Sequence, residues 1–203
     1  MKITVKFLLI MVLIISLFCA GVLTADKYVL RTQVIRMHVI ADSDSQADQI
    51  AKLCVRDAVV ERLEKYLCDV NDVAEARKFI RQELGALEEI ANAALKLVGS
   101  DDFATVTLTT EKFGKRKYDT FSLPSGIYES LRVEIGSGKG RNWWCVVFPA
   151  LCAPKTIDEF ESVAVSNGFH ENFVDSLSND RKYNIRFYLL DCIGKIENFL
   201  NYS

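Results

Sequence analysis

Hydrophobic and polar residues alternate with a period of two in several segments of the chain, which is the pattern of half-buried β-strands. The alternation is clear over residues 30–41, 103–109 and 127–135, a weaker strand is predicted over 115–123, and the entirely apolar run 143–148 is predicted to be a further strand. Short turns separate the later segments, and short turns favour antiparallel pairing. The pattern therefore predicts an antiparallel sheet of about four to five strands.

Helical spacing of apolar residues separates the first strand from the others. Ser45 and Asp72 are suited to cap two helices, the first carrying Ile50, Leu53, Leu63 and Leu67 on its stripe and the second ending at Gly99. A short helix is predicted after Thr156 and a final one over 185–200, with 166–182 irregular. Together these elements predict an α+β domain with the helices packed on one face of the sheet.

The first 25 residues have a different composition. Lys2 and Lys6 precede the uncharged apolar run 7–23, an arrangement typical of a signal for export across a membrane. Residues 1–25 are thus predicted to be a signal peptide or an N-terminal membrane anchor. Residues 26–203 are predicted to form a single extracytoplasmic domain.

Both fates of that segment stay open on the sequence. Gly21 and Ala25 are small enough to precede a cleavage site, whereas the apolar run is almost long enough to span a bilayer. Cys19 follows a bulky Phe18, which disfavours lipidation at that cysteine.

The composition of the whole chain indicates one compact unit. Its 203 residues are 50% hydrophobic, with 25 basic and 27 acidic side chains and no long linker or repeat. The net charge of −2 does not provide the positive field that binds phosphate backbones, so nucleic acid is excluded as a partner. Outside the cytoplasm cysteines can pair, and Cys145 and Cys152 are close enough in sequence to close a small disulfide loop.

An acidic turn follows the first strand and is the first candidate site. Asp42, Ser43, Asp44 and, one turn into the helix, Asp48 bring several oxygen ligands together after a buried strand. Two carboxylates beside His38 as a general base would suit an exported hydrolase. Acids also stabilise a helix N-terminus without any catalysis, and that structural role is the alternative.

No metal or cofactor is predicted. An EF-hand loop counted from Asp42 has Ala47 where glycine is needed and Leu53 where a bidentate glutamate is needed. The glycine-rich run 136–140 fails as a phosphate-binding loop, because Gly140 stands where a Ser or Thr must follow the lysine. Two histidines and the absence of a C-x-x-C motif give no support to a zinc site.

Trp143 and Trp144 are adjacent in the most apolar strand. Neighbouring side chains of a strand point to opposite faces, so only one of the two indoles can enter a given core. The other is covered by a helix or exposed as an anchor for a partner. Arg56 and Asp57, on the first predicted helix, are candidates for ion pairs with the acidic turn or with each other's neighbours.

Two segments carry a resemblance to a known family. They are RMHVIADSDS with DQ and KLCVRDAV, within residues 36–59, and GIYE followed by GSGKGRNWWCVVFPALC, within residues 126–152. In these motifs the chain resembles the stage II sporulation protein R family over roughly residues 30–152.

The resemblance implies an exported signalling protein rather than an enzyme. Members are made in the forespore and act in the septal intermembrane space, where they activate a membrane-embedded aspartic protease that processes the precursor of the early mother-cell sigma factor. Such a protein needs no catalytic residue. The expected contact surface comprises His38, Asp42, Ser43, Asp44, Asp48, Gln49, Arg56, Asp57, Asn142, Trp143 and Trp144.

Overall fold

The computed structural model describes residues 2–67, 69–149, 156–178 and 184–201. Its helices are α1 (Lys2–Gln33), α2 (Gln46–Leu67), α3 (Val73–Leu97), α4 (Ile157–Ser166), α5 (Glu171–Leu177) and α6 (Ile185–Leu200). Its strands are β1 (Ile35–Ile40), β2 (Ala104–Phe113), β3 (Arg116–Lys117), β4 (Ser122–Leu123), β5 (Gly126–Ile135) and β6 (Asn142–Phe148).

The main sheet has four strands in the order β2-β5-β1-β6, and β3 pairs with β4 in a small second sheet. This confirms the predicted α+β class. The sheet is mixed rather than purely antiparallel, since β1 is parallel to β5 and antiparallel to β6. β5 and β6 run in opposite directions, and a strand inserted between them is necessarily parallel to one of them.

Helices α2 and α3 cover one face of the sheet. The face contributes Met37, Val39, Leu131 and Val133 to a core that the buried stripes of both helices complete. The helix starts agree with the sequence, because the Ser45 hydroxyl accepts from the Asp48 amide at 3.1 Å and Asp72 accepts from the Ala74 amide at 3.0 Å. These side chains replace intrahelical partners that the first amides lack.

The predicted stripe of α2 is partly wrong. Ile50 and Leu53 are exposed, and the buried face is formed instead by Ala51, Lys52, Val55, Val59, Leu63 and Leu67. A lysine takes a core-facing position because its ammonium reaches the polar edge of the sheet, while its stem packs like an apolar side chain.

Helices also cover the second face, in contrast to the prediction of one covered face. A second core joins Phe121, Phe160, Phe173 and Phe187 to the sheet residues Tyr128 and Val146. All six residues of β1 are buried, so its alternation of apolar and polar residues does not mark a solvent-exposed side. The polar residues of this face are covered by aromatic and charged neighbours.

Helix α1 continues past the apolar run into the domain. Leu30 is buried in the second core, so residues 30–33 are helical rather than part of the first strand as predicted. Asp26 is 6% exposed and accepts two hydrogen bonds of 2.6 Å from the Arg186 guanidinium of α6. Among the described residues, the stretch Thr4–Gln33 is long and apolar enough to cross a membrane, with a mean hydropathy of 2.8 in a window that is not buried at all.

Candidate partner-binding site

Two surface segments far apart in sequence join at one end of the sheet. Residues 42–49 form the turn after β1 and the first turn of α2. Residues 136–142 form the glycine-rich loop between β5 and β6 and the first residue of β6. Asp42 Oδ1 accepts from the Ser137 amide at 2.6 Å, and the carbonyl oxygens of Ala41 and Asp42 accept from the amides of Gly140 and Lys139 at 2.9 and 3.1 Å. We call residues 42–49 and 136–142 the turn–loop cluster.

A second set of bonds closes the cluster at the start of α2. Asp44 Oδ1 accepts from the Arg141 amide at 2.7 Å, and the Gln49 side chain donates to the Ser43 carbonyl at 2.9 Å. Ser43 also bonds Asp48 through its hydroxyl. The polar residues of the predicted site therefore hold the two segments together.

Lys52 connects the cluster to α2. Its Nζ donates to Gln49 Oε1 at 2.6 Å and to the Arg141 carbonyl at 2.9 Å. Burial and the neighbouring Arg141 charge lower the pKa of Lys52, since both disfavour the ammonium. The pKa of the Asp42 carboxyl is also lowered, but here the charged form is favoured, because the Ser137 amide and hydroxyl donate hydrogen bonds to the carboxylate.

Glycines allow the close approach of the turn and the loop. A Cβ at position 140 would collide with the backbone carbonyl of Ser43, although the backbone of Gly140 is not in the left-handed region. Gly136 has a φ of 58°, and a Cβ there would collide with the Asp42 side chain. The glycines of residues 136–140 therefore allow the loop to pack closely against the turn that follows β1.

His38 is not part of the cluster. Its Nε2 lies 2.7 Å from Glu111 Oε2, and its ring is stacked on Trp144 with 4.8 Å between centroids. Arg132 holds the same carboxylate from the other side at 3.0 Å. Burial disfavours the charge on Glu111, but the hydrogen bonds and charges of His38 and Arg132 outweigh it and lower the pKa of the carboxyl.

These contacts do not assemble the hydrolase that His38, Asp42 and Asp44 would form. The histidine is buried and bonded to Glu111 on the second face of the sheet, and the two aspartates accept from backbone amides of the loop. Within the described ranges, no three His, Cys, Asp or Glu side chains come together to hold a metal ion.

The two tryptophans lie on opposite faces of β6, as the strand geometry predicts. Trp143 packs against the α2–α3 core, and the guanidinium of Arg56 lies 5.1 Å from its ring centroid. Trp144 packs against the second core, where Arg116 lies 4.4 Å from its ring. Both indoles are partly exposed and each is covered by an arginine, a favourable cation–π arrangement.

The exposed surface beside the cluster includes residues that the sequence assigned to the core. Ile50 is 50% exposed and Leu53 is 39% exposed on α2. On the same helix Arg56 and Asp57 form an ion pair with each other at 2.6 Å rather than with the acidic turn, and the Asp57 side chain is largely exposed. Asn142 is exposed at the end of the loop. We call Ile50, Leu53, Arg56, Asp57, Asn142 and Trp143 the α2–β6 surface.

Cys145 is buried in β6, whereas Cys152 lies outside the described residues, so their pairing stays a prediction. The free cysteines among the described residues are Cys19, Cys54 and Cys192. A groove of about 500 Å³ between α4 and α5 is lined mainly by polar residues, including Glu161, Glu171 and Asp175, and contains none of the predicted site residues.

The fold and the site define a class of protein. It is an α+β domain preceded by an N-terminal helix that is compatible with a signal peptide or a membrane anchor, and hydrogen bonds hold a turn–loop cluster together at one end of its sheet. Within that class, the chain belongs to the stage II sporulation protein R family, whose model matches residues 31–158. The match contains the whole sheet with α2 and α3, and it excludes α5 and α6.

A comparison with curated proteins agrees. The chain is 36% identical over 124 residues to the stage II sporulation protein R of Bacillus subtilis (strain 168), an alignment that covers 61% of this chain and 55% of the relative. The aligned part thus spans about half the length of that relative. No solved structure matches the chain.

Sequence reasoning missed Lys52 at the turn–loop cluster and Glu111 beside His38. Glu111 continues the polar side of β2 after Thr105, Thr107 and Thr109. A single charged residue in that row of threonines was the feature of the sequence that could have indicated a partner such as His38. Lys52 could be recognised only from its position between the buried Ala51 and Val55.

Proposed function

We propose that this chain is a sporulation signalling protein that is exported from the forespore and activates a membrane-embedded aspartic protease across the septal intermembrane space. Activation would lead to processing of the early mother-cell sigma-factor precursor. Membership of the stage II sporulation protein R family supports the sporulation role, and the exposed apolar helix α1 fits export.

One observation carries the choice of a binding protein over a hydrolase. The carboxylates of Asp42 and Asp44 are occupied by backbone amides at 2.6 and 2.7 Å, so the turn is built as a rigid support. A rigid support beside exposed apolar and charged residues suits the recognition of another protein, because little entropy is lost when it binds.

The α2–β6 surface is our candidate for the protease contact. It combines the exposed apolar residues Ile50 and Leu53 with the charged pair of Arg56 and Asp57, and Trp143 lies under that arginine. Aromatic and arginine side chains in such a setting are the residue types most enriched at binding hot spots. A receptor contact that differs between two receptor states would shift the protease towards its active state.

We further propose that α1 is kept as a membrane anchor. The helix runs without a break through Gly21 and Ala25, so a protease cutting after either residue would have to unwind it. Immediately after Ala25, Asp26 and Lys27 bind Arg186 and Glu197 of α6, at 2.6 and 2.8 Å. N-terminal sequencing of the protein from sporulating cells tests this directly, and an N-terminus at position 22 or 26 would contradict it.

The signalling proposal is tested with the full chain and the receptor protease reconstituted together in lipid vesicles, with precursor cleavage as the readout. Leu53→Glu, Asp57→Arg and Trp143→Ala should each reduce activation at least tenfold. Leu97→Glu is the matched control, because Leu97 is 87% exposed on α3, and it should leave activation unchanged. Full activation by all three surface variants would contradict the proposed contact.

The same assay separates a ligand from an enzyme. A hydrolase that used Asp42 or Asp44 would lose several orders of magnitude in rate with alanine at either position, even where folding and binding were kept. A ligand should lose activation only as far as its binding to the receptor weakens.

A further inference from the structure

Helix α6 has an apolar outer face that no described residue covers. Its inner face is buried through Phe187, Leu190, Asp191 and Gly194. Successive residues of a helix turn by about 100°, so the opposite side contains the following exposed residues: Ile185, Tyr188, Leu189, Ile196, Phe199 and Leu200. Ile185 and Phe199 are each 77% exposed.

The charged residues of α6 are all engaged elsewhere. Arg186 pairs with Asp26, Glu197 with Lys27, and Lys195 with Asp191 of the same helix. The side chain of Lys195 is 62% exposed and lies at the edge of the outer face next to Tyr188, a position from which a lysine can extend its ammonium to the lipid headgroups. The centre of the outer face is uncharged. A helix that is apolar on both sides is normally covered on both sides.

Contacts with α1 fix the depth of α6 relative to a membrane. Asp26 and Lys27 are the first charged residues after the apolar run of α1, and the first charges after a membrane span lie at the level of the lipid headgroups. These are the two residues that bind α6. The depth of α6 therefore coincides with the headgroup region.

The same contacts show how the two helices cross. Asp26 and Lys27 are consecutive in α1, yet their partners Arg186 and Glu197 are three turns apart in α6. This spacing indicates helices that cross rather than run side by side. After the crossing point, the C-terminal end of α1 continues through Val34 into β1, on the inner side of α6. The apolar N-terminal part of α1 therefore extends away from the domain on the outer side of α6.

We propose that α6 lies in the plane of the membrane surface and that its outer face is buried in the lipid bilayer next to the α1 anchor. The composition fits that location, since Leu, Ile and Phe enter the acyl boundary and Tyr188 suits the headgroup level. This surface differs from the α2–β6 surface, and it rests on the proposed retention of α1 as an anchor.

The test places an environment-sensitive fluorescent amino acid at single positions of the full chain in phosphatidylcholine–phosphatidylglycerol vesicles containing quencher-labelled lipids. Probes at Ile196 and Phe199 should be quenched severalfold more than a probe at Leu97, which is equally apolar and exposed on α3. A probe at Ile14 reports insertion of α1 itself.

Quenching at Ile14 without quenching at Ile196 and Phe199 would overturn the α6 proposal while leaving the anchor intact. An absence of quenching at all three positions would overturn both. A probe at Ile196 that is shielded from water-soluble iodide but not quenched by the lipids would show that a second protein surface covers α6, which also overturns the proposal. Circular dichroism of each labelled chain confirms that it is folded.

Discussion

His38 lies flat against Trp144, with 4.8 Å between the ring centroids and 5° between the ring planes. The two residues are partners in the β1–β6 register, so their side chains leave the sheet on the same face. Glu111 holds the imidazole at its edge, and Phe113 makes an edge contact with both rings. The histidine is therefore a structural link between β1, β2 and β6.

Replacing Trp144 with alanine should destabilise the domain. The substitution removes the stack with His38 and the cation–π contact with Arg116, and it leaves a gap beside Phe113. We expect the free energy of unfolding to fall by about 2–4 kcal/mol, as for other large aromatic truncations. Urea denaturation of the purified protein measures this, and a loss below about 0.5 kcal/mol would show that the stack contributes little.

Glu111 should make stability depend on acid pH. Its pKa in the folded protein is below the ordinary value of 4.5, so the unfolded chain binds the proton first as the pH falls. The stabilisation is complete above about pH 4.5 and is lost as the pH falls through the lower folded value. In Glu111→Gln, unfolding free energies at pH 7 should be lower than in the wild type, and their decline towards pH 3 should be smaller. An unchanged decline would assign the acid sensitivity to other carboxylates.

Gly140→Ala should open the turn–loop cluster. The added methyl group would collide with the Ser43 carbonyl, and neither backbone segment can move without breaking the bonds of Asp42 and Asp44. We expect a loss of about 1–3 kcal/mol in unfolding free energy.

Gly85→Ala is the matched control for this loss. Position 85 is exposed within α3 and has no atom near the added methyl group, so alanine should raise stability by about 0.5–1 kcal/mol through its better helix propensity. Equal effects of the two substitutions would contradict the steric explanation.

The ion pair between Asp26 and Arg186 should couple α1 to the domain. A double-mutant cycle of Asp26→Asn and Arg186→Gln measures this coupling by thermal unfolding of the full chain in detergent. We expect a coupling energy of about 1–3 kcal/mol, because two charge-assisted hydrogen bonds meet at a mostly buried carboxylate. The exposed pair of Glu61 and Lys65 should give a much smaller coupling energy, because solvent screens both charges. Similar values for the two pairs would argue against a fixed α1.

The proposed pairing of Cys145 with Cys152 is tested by peptide mapping, without reduction, of the protein purified from sporulating cells. A linked peptide that contains both cysteines is expected. Recovery of Cys145 linked to Cys54, Cys68 or Cys192 instead would contradict the pairing.

Local patterns in the sequence predicted most elements of the fold. The alternation of Val106 and Leu108 with threonines gave β2, and Asp72 marked the start of α3 correctly. The parallel pairing of β1 with β5 could not be predicted in this way, because β1 enters between two strands that begin much later in the chain, at residues 126 and 142. The partners of β1 and the direction of each pairing are determined by the packing of the whole chain.

The buried polar residues explain the other errors. Arg36 and His38 suggested that one side of β1 faces water, yet Arg36 is fully buried with its guanidinium 4.0 Å from the Phe113 ring centroid and bonded to the Tyr118 hydroxyl. Aromatic partners supplied from distant parts of the chain make that burial tolerable. Periodicity alone does not reveal such partners, and it also did not reveal the seven-residue helix α5.

The unbroken course of α1 into the second core has a mechanical consequence. Eleven residues, 23–33, span about 16 Å as a helix, and a helix does not bend as a glycine-rich linker does. With α1 in a bilayer, the domain would be held directly at the membrane surface, because Asp26, Lys27 and Leu30 of this segment pack against it. The stiff helix would then set the height and the tilt of the domain. The domain could then contact only receptors whose binding surface lies at the same height above the membrane. Under the proposed function, signalling would depend on this local contact rather than on diffusion through the intermembrane space.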